Sequence, residues 1–212
     1  VLNGQPLSYS LRGNDNDNTI TGLSLNDTLS GGEGNDILNG GAGDDVLAGE
    51  RGDDQYVITE AGDVVTELQS EGTDTIRTSL LTYVLTDFVE NVAATGAGVA
   101  QILNGNDLAN VLTGSGGDDE LRGAGGNDTY VIEVGGKVVE LSNGGTDAVR
   151  IGTSYSLASN VENLTLTGSL TANGTGNSAN NVIIGNVSAN RLSGGNGDDT
   201  LSASGGADIL VG

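Results

Sequence analysis

Residues 31–57 constrain this chain more than any other stretch. They read Gly31-Gly32-Glu33-Gly34-Asn35-Asp36-Ile37-Leu38-Asn39, then Gly40-Gly41-Ala42-Gly43-Asp44-Asp45-Val46-Leu47-Ala48, then Gly49-Glu50-Arg51-Gly52-Asp53-Asp54-Gln55-Tyr56-Val57. One pattern, G-G-x-G-x-D-x-U-x with U a large apolar residue, occurs three times without a gap, and only Glu50 departs from it. Asp and Asn suit turns in any protein, but turn chemistry alone does not require a period of nine.

Each position carries a physical demand. Glycines at positions 1, 2 and 4 permit backbone with φ > 0 and remove side chains, so that carbonyl oxygens can converge. Asp at position 6 adds a carboxylate, and carbonyls with carboxylates make the oxygen-only shell that Ca²⁺ prefers. Positions 7–9 form a short β-prone run with one inward apolar residue at position 8. Such a strand cannot stand alone and must stack on copies of itself, which is the logic of a solenoid. Two nonapeptides make a coil of 18 residues with a turn on each edge. Turns on one edge are then neighbours about 4.8 Å apart, and their position-6 side chains can share an ion.

The frame runs from Gly13 to Val57, with turns at Gly13, Gly22, Gly31, Gly40 and Gly49. Its position-6 residues, Asn18, Asp27, Asp36, Asp45 and Asp54, are candidate ligands, paired Asn18 with Asp36, Asp27 with Asp45, and Asp36 with Asp54. The frame returns over 96–131 with Asn110, Asp119 and Asp128, and over 176–212 with Asn181, Asn190, Asp199 and Asp208. Gln101, one carbon too long for the usual place, makes its pairing with Asp119 the least regular. Candidate backbone carbonyl ligands come from Gly31, Gly32, Gly34, Gly40, Gly41 and Gly43 in the first block. Gly114, Gly117, Gly123 and Gly126 supply them in the second, and Gly194, Gly195, Gly197 and Gly206 in the third. The pairs predict about five to seven Ca²⁺ ions, at the weak affinities of extracellular modules, with the Asn-containing first site of each block the weakest.

Between these blocks lie plainer β-rich stretches, 58–95 and 132–175, which repeat one another. Gly72-Thr73-Asp74-Thr75-Ile76-Arg77 matches Gly145-Thr146-Asp147-Ala148-Val149-Arg150, and Val89-Glu90-Asn91-Val92 matches Val161-Glu162-Asn163-Leu164. Strand-like runs are expected at Val64–Leu68, Thr75–Leu80, Tyr83–Leu85 and Phe88–Ala93. Each nonapeptide block before them closes on a tyrosine, Tyr56 or Tyr130, whose size suggests a wider coil. Residues 1–12 read as an opening strand or cap. The whole reads as one continuous solenoid, and the unfinished turn at Gly212 reads as a fragment of a longer chain.

Composition closes off other classes. With 37 glycines, no Trp and a single Phe, a thin stacked core is easier to supply than a globular one. A net charge of −22 argues against nucleic-acid binding, which needs clustered Lys and Arg. Cys, His and Met are absent, so no disulfide and no Cys- or His-ligated zinc or iron site can form. No apolar run is long enough for a transmembrane helix, so no membrane insertion is expected. The tripeptide Arg51-Gly52-Asp53 falls inside a nonapeptide turn, and Glu90 and Glu162 read as tiling a strand edge. No nucleophile setting is visible, and the carboxylates are better explained by calcium than by catalysis.

The nonapeptide resembles the calcium-binding repeat of the repeats-in-toxin (RTX) family. That resemblance implies a right-handed parallel β-roll, here with 18-residue calcium-binding coils alternating with plainer β-helical coils. It also implies a bacterial protein secreted unfolded by a type I system and folding in external calcium. The block alternation resembles long repetitive RTX surface proteins. Two roles are therefore expected to compete. One is a structural module that stacks with copies of itself into a filament or surface layer, or spaces an adhesin. The other is the non-catalytic module of a secreted enzyme such as a lipase, protease or alginate epimerase.

Overall fold

A strand of three residues gains stability only from the strand stacked on it, and that rule organises the whole molecule. The computed structural model describes residues 7–212. The described residues fall into two compact units, one ending at Gly96 and the other spanning Ala97–Gly212. Both are all-β and built from parallel coils, as a right-handed β-solenoid.

The first unit carries β1 (Ser10–Arg12), β2 (Thr19–Thr21), β3 (Thr28–Glu33), β4 (Ile37–Asn39), β5 (Val46–Arg51), β6 (Gln55–Ile58), β7 (Val64–Val65), β8 (Thr75–Thr78), β9 (Thr82–Val84) and β10 (Asn91–Ala94). Successive strands alternate between two parallel ladders, β1-β3-β5-β7 on one face and β2-β4-β6-β8-β10 on the other. The pairing sets like upon like. Leu11 pairs with Leu29 and Leu29 with Leu47 on one face, and Ile20 with Leu38 and Leu38 with Tyr56 on the other. Position 8 of each repeat therefore stacks on position 8 of the next coil, and Leu29, Leu38, Leu47 and Tyr56 are fully buried.

The second unit carries β11 (Ile102–Asn104), β12 (Val111–Thr113), β13 (Glu120–Arg122), β14 (Thr129–Ile132), β15 (Lys137–Val139), β16 (Ala148–Ile151), β17 (Tyr155–Ser156), β18 (Asn163–Leu166), β19 (Gly174–Thr175), β20 (Val182–Ile184), β21 (Arg191–Ser193), β22 (Thr200–Ser202) and β23 (Ile209–Val211). The even strands β12 to β22 form one parallel face, while β11-β13-β15 and β17-β19-β21-β23 form the facing sheets. Leu103, Leu112, Leu121, Tyr130 and Ile183 line the interior and are fully buried.

The plainer stretches join the same ladders. Tyr56 pairs with Ile76 and Ile76 with Val92; Tyr130 pairs with Val149 and Val149 with Leu164. Some boundaries differ from those expected. The run expected over Val64–Leu68 is paired only over Val64–Val65, although the inward–outward alternation continues through Glu67. The run expected from Phe88 begins at Asn91, because Phe88 takes a left-handed φ of 65° in a turn. Of the opening segment, residues 1–6 lie outside the described residues, while Ser10–Arg12 pairs in register with Thr28–Ser30 as one more coil strand.

The core is a column one side chain thick, so one deleted side chain leaves a void its neighbours cannot easily fill. Leu47→Ala is expected to cost about 2–5 kcal/mol. Leu23→Ala, at a turn residue that is 68% exposed, should stay within about 0.5 kcal/mol. Urea unfolding of the two variants in saturating Ca²⁺ measures the contrast.

Candidate metal-binding turns

The position-6 side chains do more than sit 18 residues apart. One carboxylate oxygen of each accepts a hydrogen bond from the backbone N–H of the equivalent residue one coil earlier. Asp36 Oδ1 accepts from Asn18 N–H at 2.7 Å, Asp45 Oδ1 from Asp27 at 2.7 Å, and Asp54 Oδ1 from Asp36 at 2.6 Å. In the second unit Asp119 accepts from Gln101 N–H, Asp128 from Asn110, Asp199 from Asn181 and Asp208 from Asn190, all at 2.7–2.9 Å. Gln101 thus keeps its rung, because the rung uses its backbone rather than its long side chain.

These ladders run on into the plainer stretches. Asp45 N–H donates to Asp63, Asp54 N–H to Asp74, and Asp74 N–H to Glu90; in the second unit Asp128 N–H donates to Asp147, and Asp147 N–H to Glu162. Glu90 and Glu162 are therefore ladder members and not strand-edge tiles. Position 5 forms a second ladder of opposite direction. Asp17 Oδ1 accepts from Asn35 N–H, Asn35 Oδ1 from Asp53 N–H, and Asp53 Oδ1 from Thr73 N–H. Asp53 of the Arg-Gly-Asp tripeptide is held within the turn this way, and Arg51 pairs with Glu33 at 3.2 Å.

The glycines divide into two roles. Position-1 glycines make room. A Cβ on Gly31 or Gly40 would collide with Oδ2 of Asp36 or Asp45 in the same turn. The same void receives a carbonyl from the next coil. Gly31 O meets Asn18 Oδ1 at Gly13, Gly40 O meets Asp27 Oδ2 at Gly22, and Gly49 O meets Asp36 Oδ2 at Gly31. Gly123 O meets Asn110 Oδ1 at Gly105, and Gly194 O meets Asn181 Oδ1 at Gly176. The converging carbonyls are those of position 1, and Gly49 joins the expected set. Gly114 stands beside Asp119, with its Cβ position 3.0 Å from Oδ2.

The glycines at positions 2 and 4, Gly32, Gly34, Gly41, Gly43, Gly195 and Gly197, and the position-4 residues Gly117, Gly126 and Gly206, all have left-handed φ. Most lie against the backbone of the preceding coil rather than beside a carboxylate. Position 2 decides the state of the turn. In five turns it stays outside the left-handed region and its N–H folds back onto the position-6 side chain. Asn14, Leu23, Asn106, Ser115 and Asn177 N–H groups donate in this way to Asn18, Asp27, Asn110, Asp119 and Asn181 at 2.8–3.0 Å. Where position 2 is left-handed, at Gly32, Gly41, Glu50 and Ala124, the Oδ2 atoms of Asp36, Asp45, Asp54 and Asp128 are buried without a hydrogen-bond partner. Glu50 and Ala124 adopt this conformation without being glycine. Gly195 sets the same backbone in the turn of Asp199.

Asn190 closes differently. Its amide donates to Ala172 O at 2.6 Å and to Asn186 Oδ1 at 3.1 Å. The first two nonapeptide blocks thus pass from self-satisfied turns to turns that leave a carboxylate oxygen free, whereas in the third the unpartnered buried oxygen is Asn190 Oδ1. Those free oxygens, with Gly49 O beside Asp36 Oδ2 and no nitrogen or sulfur ligand offered, fit a hard divalent cation such as Ca²⁺.

At the end of the first two blocks, further acids gather. Asp54, Glu67 and Asp74 lie with ligand atoms within 4.8 Å of one another, and so do Asp128, Glu140 and Asp147. All six are buried. Burial, opposed by backbone hydrogen bonds and reinforced by neighbouring carboxylates, raises Asp54 to about 6, Asp74 to about 7 and Glu67 to about 8. Burial likewise raises Asp128 to about 7 and Asp147 to about 6. Sequence reasoning missed Glu67, Asp74, Glu140 and Asp147 as site residues. Their identical spacing in the two plainer stretches was the available signal.

Two outcomes follow. Gly40→Ala places a methyl against Asp45 and should cost about 1–3 kcal/mol by overpacking. Gly152→Ala, whose nearest neighbour is Thr167 Oγ1 at 3.8 Å, should stay within about 0.5 kcal/mol; calcium-dependent unfolding midpoints compare them. The second concerns pH. Folded carboxyls raised to about 6–8 bind more protons than their unfolded counterparts near 4, so in chelator stability falls as pH rises through that window. The far-UV β signal that remains in chelator should therefore grow as pH is lowered from about 8 to about 6. In saturating Ca²⁺ the slope should reverse, since protons then compete with the ion.

A family model of the RTX calcium-binding nonapeptide repeat (4 copies) matches residues 21–56, 96–131 and 175–210, half of the chain. Neither the curated proteins nor the solved structures contain a match. With the repeat matched over all three nonapeptide blocks and the parallel coils it requires in place, the chain belongs to the RTX calcium-binding nonapeptide-repeat family.

Proposed function

We propose that this calcium-binding β-roll is a calcium-folded structural module of a secreted or cell-surface bacterial protein, serving in self-assembly or as a spacer in an adhesin. The observation that carries the reading is the set of open turns. Asp36, Asp45, Asp54 and Asp128 each bury a carboxylate oxygen that no protein donor satisfies. An unpaired buried charge costs several kcal/mol. Each inward Leu returns only about 1.5–3 kcal/mol, against about 1–2 kcal/mol of backbone entropy for every residue ordered. A cation that binds only the folded coil shifts this balance by linkage.

The same balance supports an extracellular setting. Sites of this kind in extracellular modules work at about 10⁻⁴–10⁻³ M Ca²⁺, so the chain would stay unfolded until it leaves the cell. Ions proposed at Asp36, Asp45, Asp54, Asp128 and Asp199 fall within the range expected from the pairs. The chain's chemistry is spent on joining coil to coil, which supports a structural rather than a catalytic role.

Far-UV circular dichroism during a Ca²⁺ titration, with light scattering on the same samples and Mg²⁺ as control, tests the reading. The expected outcome is a coil-to-β transition specific to Ca²⁺, with scattering that rises alongside it if the module self-assembles. Full β structure in excess chelator would overturn calcium-triggered folding. A transition without scattering would leave the spacer role and remove self-assembly.

A further inference from the structure

The turns after β7 and β15 depart from the nonapeptide in the same way. In an ordinary turn, such as Leu47 to Asp54, seven residues separate the inward apolar residue from the next ladder Asp; from Val65 to Asp74 and from Val138 to Asp147 there are nine. Asp54 N–H accordingly reaches an acceptor 20 residues on, and Asp128 N–H one 19 residues on, where ordinary rungs span 18. Glu67 and Glu140 follow the inward valine by two residues, where a position-1 glycine stands in the nonapeptide, and both are more than nine-tenths buried; the extra length follows them.

Each glutamate meets the tyrosine that closes the preceding nonapeptide block. Glu67 Oε1 accepts the Tyr56 hydroxyl, and Glu140 Oε1 accepts that of Tyr130. Tyr56 Oη in turn accepts Gly49 N–H at 2.6 Å. These contacts use one oxygen of each glutamate, and Glu140 Oε2 also accepts Leu141 N–H at 3.0 Å. Asp54 Oδ2, Glu67 Oε2, Asp128 Oδ2 and Asp147 Oδ2 are buried and unpartnered. None of the three ion pairs among the described residues touches either cluster. A cavity of about 460 Å³ lined by Glu50, Glu67 and Glu71, with Ala48, Thr66 and Leu68, borders the first cluster and gives it an acidic approach.

We infer that the ions at Asp54 and Asp128 sit in the widened turns, one Ca²⁺ held between Asp54, Glu67 and Asp74 and one between Asp128, Glu140 and Asp147. These sites differ from the turn of Asp36, where the carboxylate faces the Gly49 carbonyl, because their ligands are three side-chain carboxylates. Three carboxylates within 4.8 Å of one another cannot all stay ionised in a buried site without a countercharge, and an all-oxygen set with negative charge in excess selects a hard cation. The tyrosine hydroxyl holds the glutamate in place as an outer-shell partner. The ion would fix the junction at which each nonapeptide block passes into its plainer stretch, so that the plainer coils order with the calcium blocks. This inference rests on the reading of the chain as a calcium-folded module, and extends the ion's reach beyond the nonapeptide.

The test is Ca²⁺ stoichiometry by equilibrium dialysis on the whole chain. It compares the unaltered protein, the double variant Glu67→Gln/Glu140→Gln, and Asp36→Asn/Asp45→Asn as a nonapeptide control. The glutamate variant should lose two bound ions, one per cluster, and keep its far-UV β signal. In parallel, Tb³⁺ replaces Ca²⁺, and its luminescence is excited through tyrosine. Emission should fall in Tyr56→Phe/Tyr130→Phe, which spares every carboxylate, while the nonapeptide control keeps it. Unchanged stoichiometry in the glutamate variant would overturn the inference, the clusters then sharing protons instead of an ion. Should Glu67→Gln/Glu140→Gln fail to fold, unchanged tyrosine-excited emission in the Tyr→Phe variant would overturn it independently. No Ca²⁺ bound by the unaltered protein would instead sink the calcium-folded reading itself.

Discussion

The structure depends on one bond repeated along each edge: a position-6 carboxylate of one coil accepting the backbone N–H of the coil before. It ties side chain to main chain across the direction of stacking, so each coil is held by its turns as well as by its short strands. It also places anions in a column. Asp36 and Asp54, joined at 2.6 Å through backbone and carboxylate, are buried acids one coil apart. A chain of net charge −22 can afford this column only with countercharge, because like charges in a poorly hydrated interior repel far more strongly than in water. Ion binding and folding are therefore two descriptions of one equilibrium.

Within that constraint, position 2 acts as a local selector. Its N–H either folds back onto position 6 or turns away. Folding back satisfies Asn18, Asp27, Asn110, Asp119 and Asn181 from within their own turns. Turning away, through left-handed Gly32, Gly41, Glu50 or Ala124, leaves an oxygen for a cation. In the first two blocks the two states follow one order, closed turns first and open turns last. Asn in the closed turns is consistent with this, since a neutral amide both accepts and donates, as Asn181 does to Val161 O and Glu162 O. The blocks are thus graded in their need for metal.

The sequence made the coil legible because its period of nine is enforced at three kinds of position at once: small at 1, acidic at 6, apolar at 8. The inward column of Leu29, Leu38 and Leu47 could be read directly. Position 5 was hidden, because its Asn and Asp look like ordinary turn residues and their rungs appear only when coils are stacked. The plainer stretches were legible as β and as a repeat, but not as acidic sites. Glu67 and Asp74 belong to no nonapeptide, and only the widened turn brings them to Asp54. Direction along the strand also misled. Glu90 looks like an outward strand-edge residue, yet it bonds Asp74 N–H across coils.

Glu90 and Glu162 also show how the ladder tolerates coils of unequal length. Ordinary rungs span 18 residues and carry Asp, whereas the rungs ending at Glu90 and Glu162 span only 16 and 15. A shorter coil leaves its backbone farther from the one before at this edge, and the additional methylene of glutamate restores the reach. The bond to the preceding N–H is 2.8 Å in both cases, within 0.2 Å of the Asp54 rung at 2.6 Å. In both units the short coil directly follows the widened one. Against the ordinary 18, the widened coil gains two residues in the first unit and one in the second, the next coil loses two and three, and the longer acid absorbs the difference. The substitution of Glu for Asp at these places is a length adjustment that keeps the carboxylate column continuous while the coil beneath it changes size.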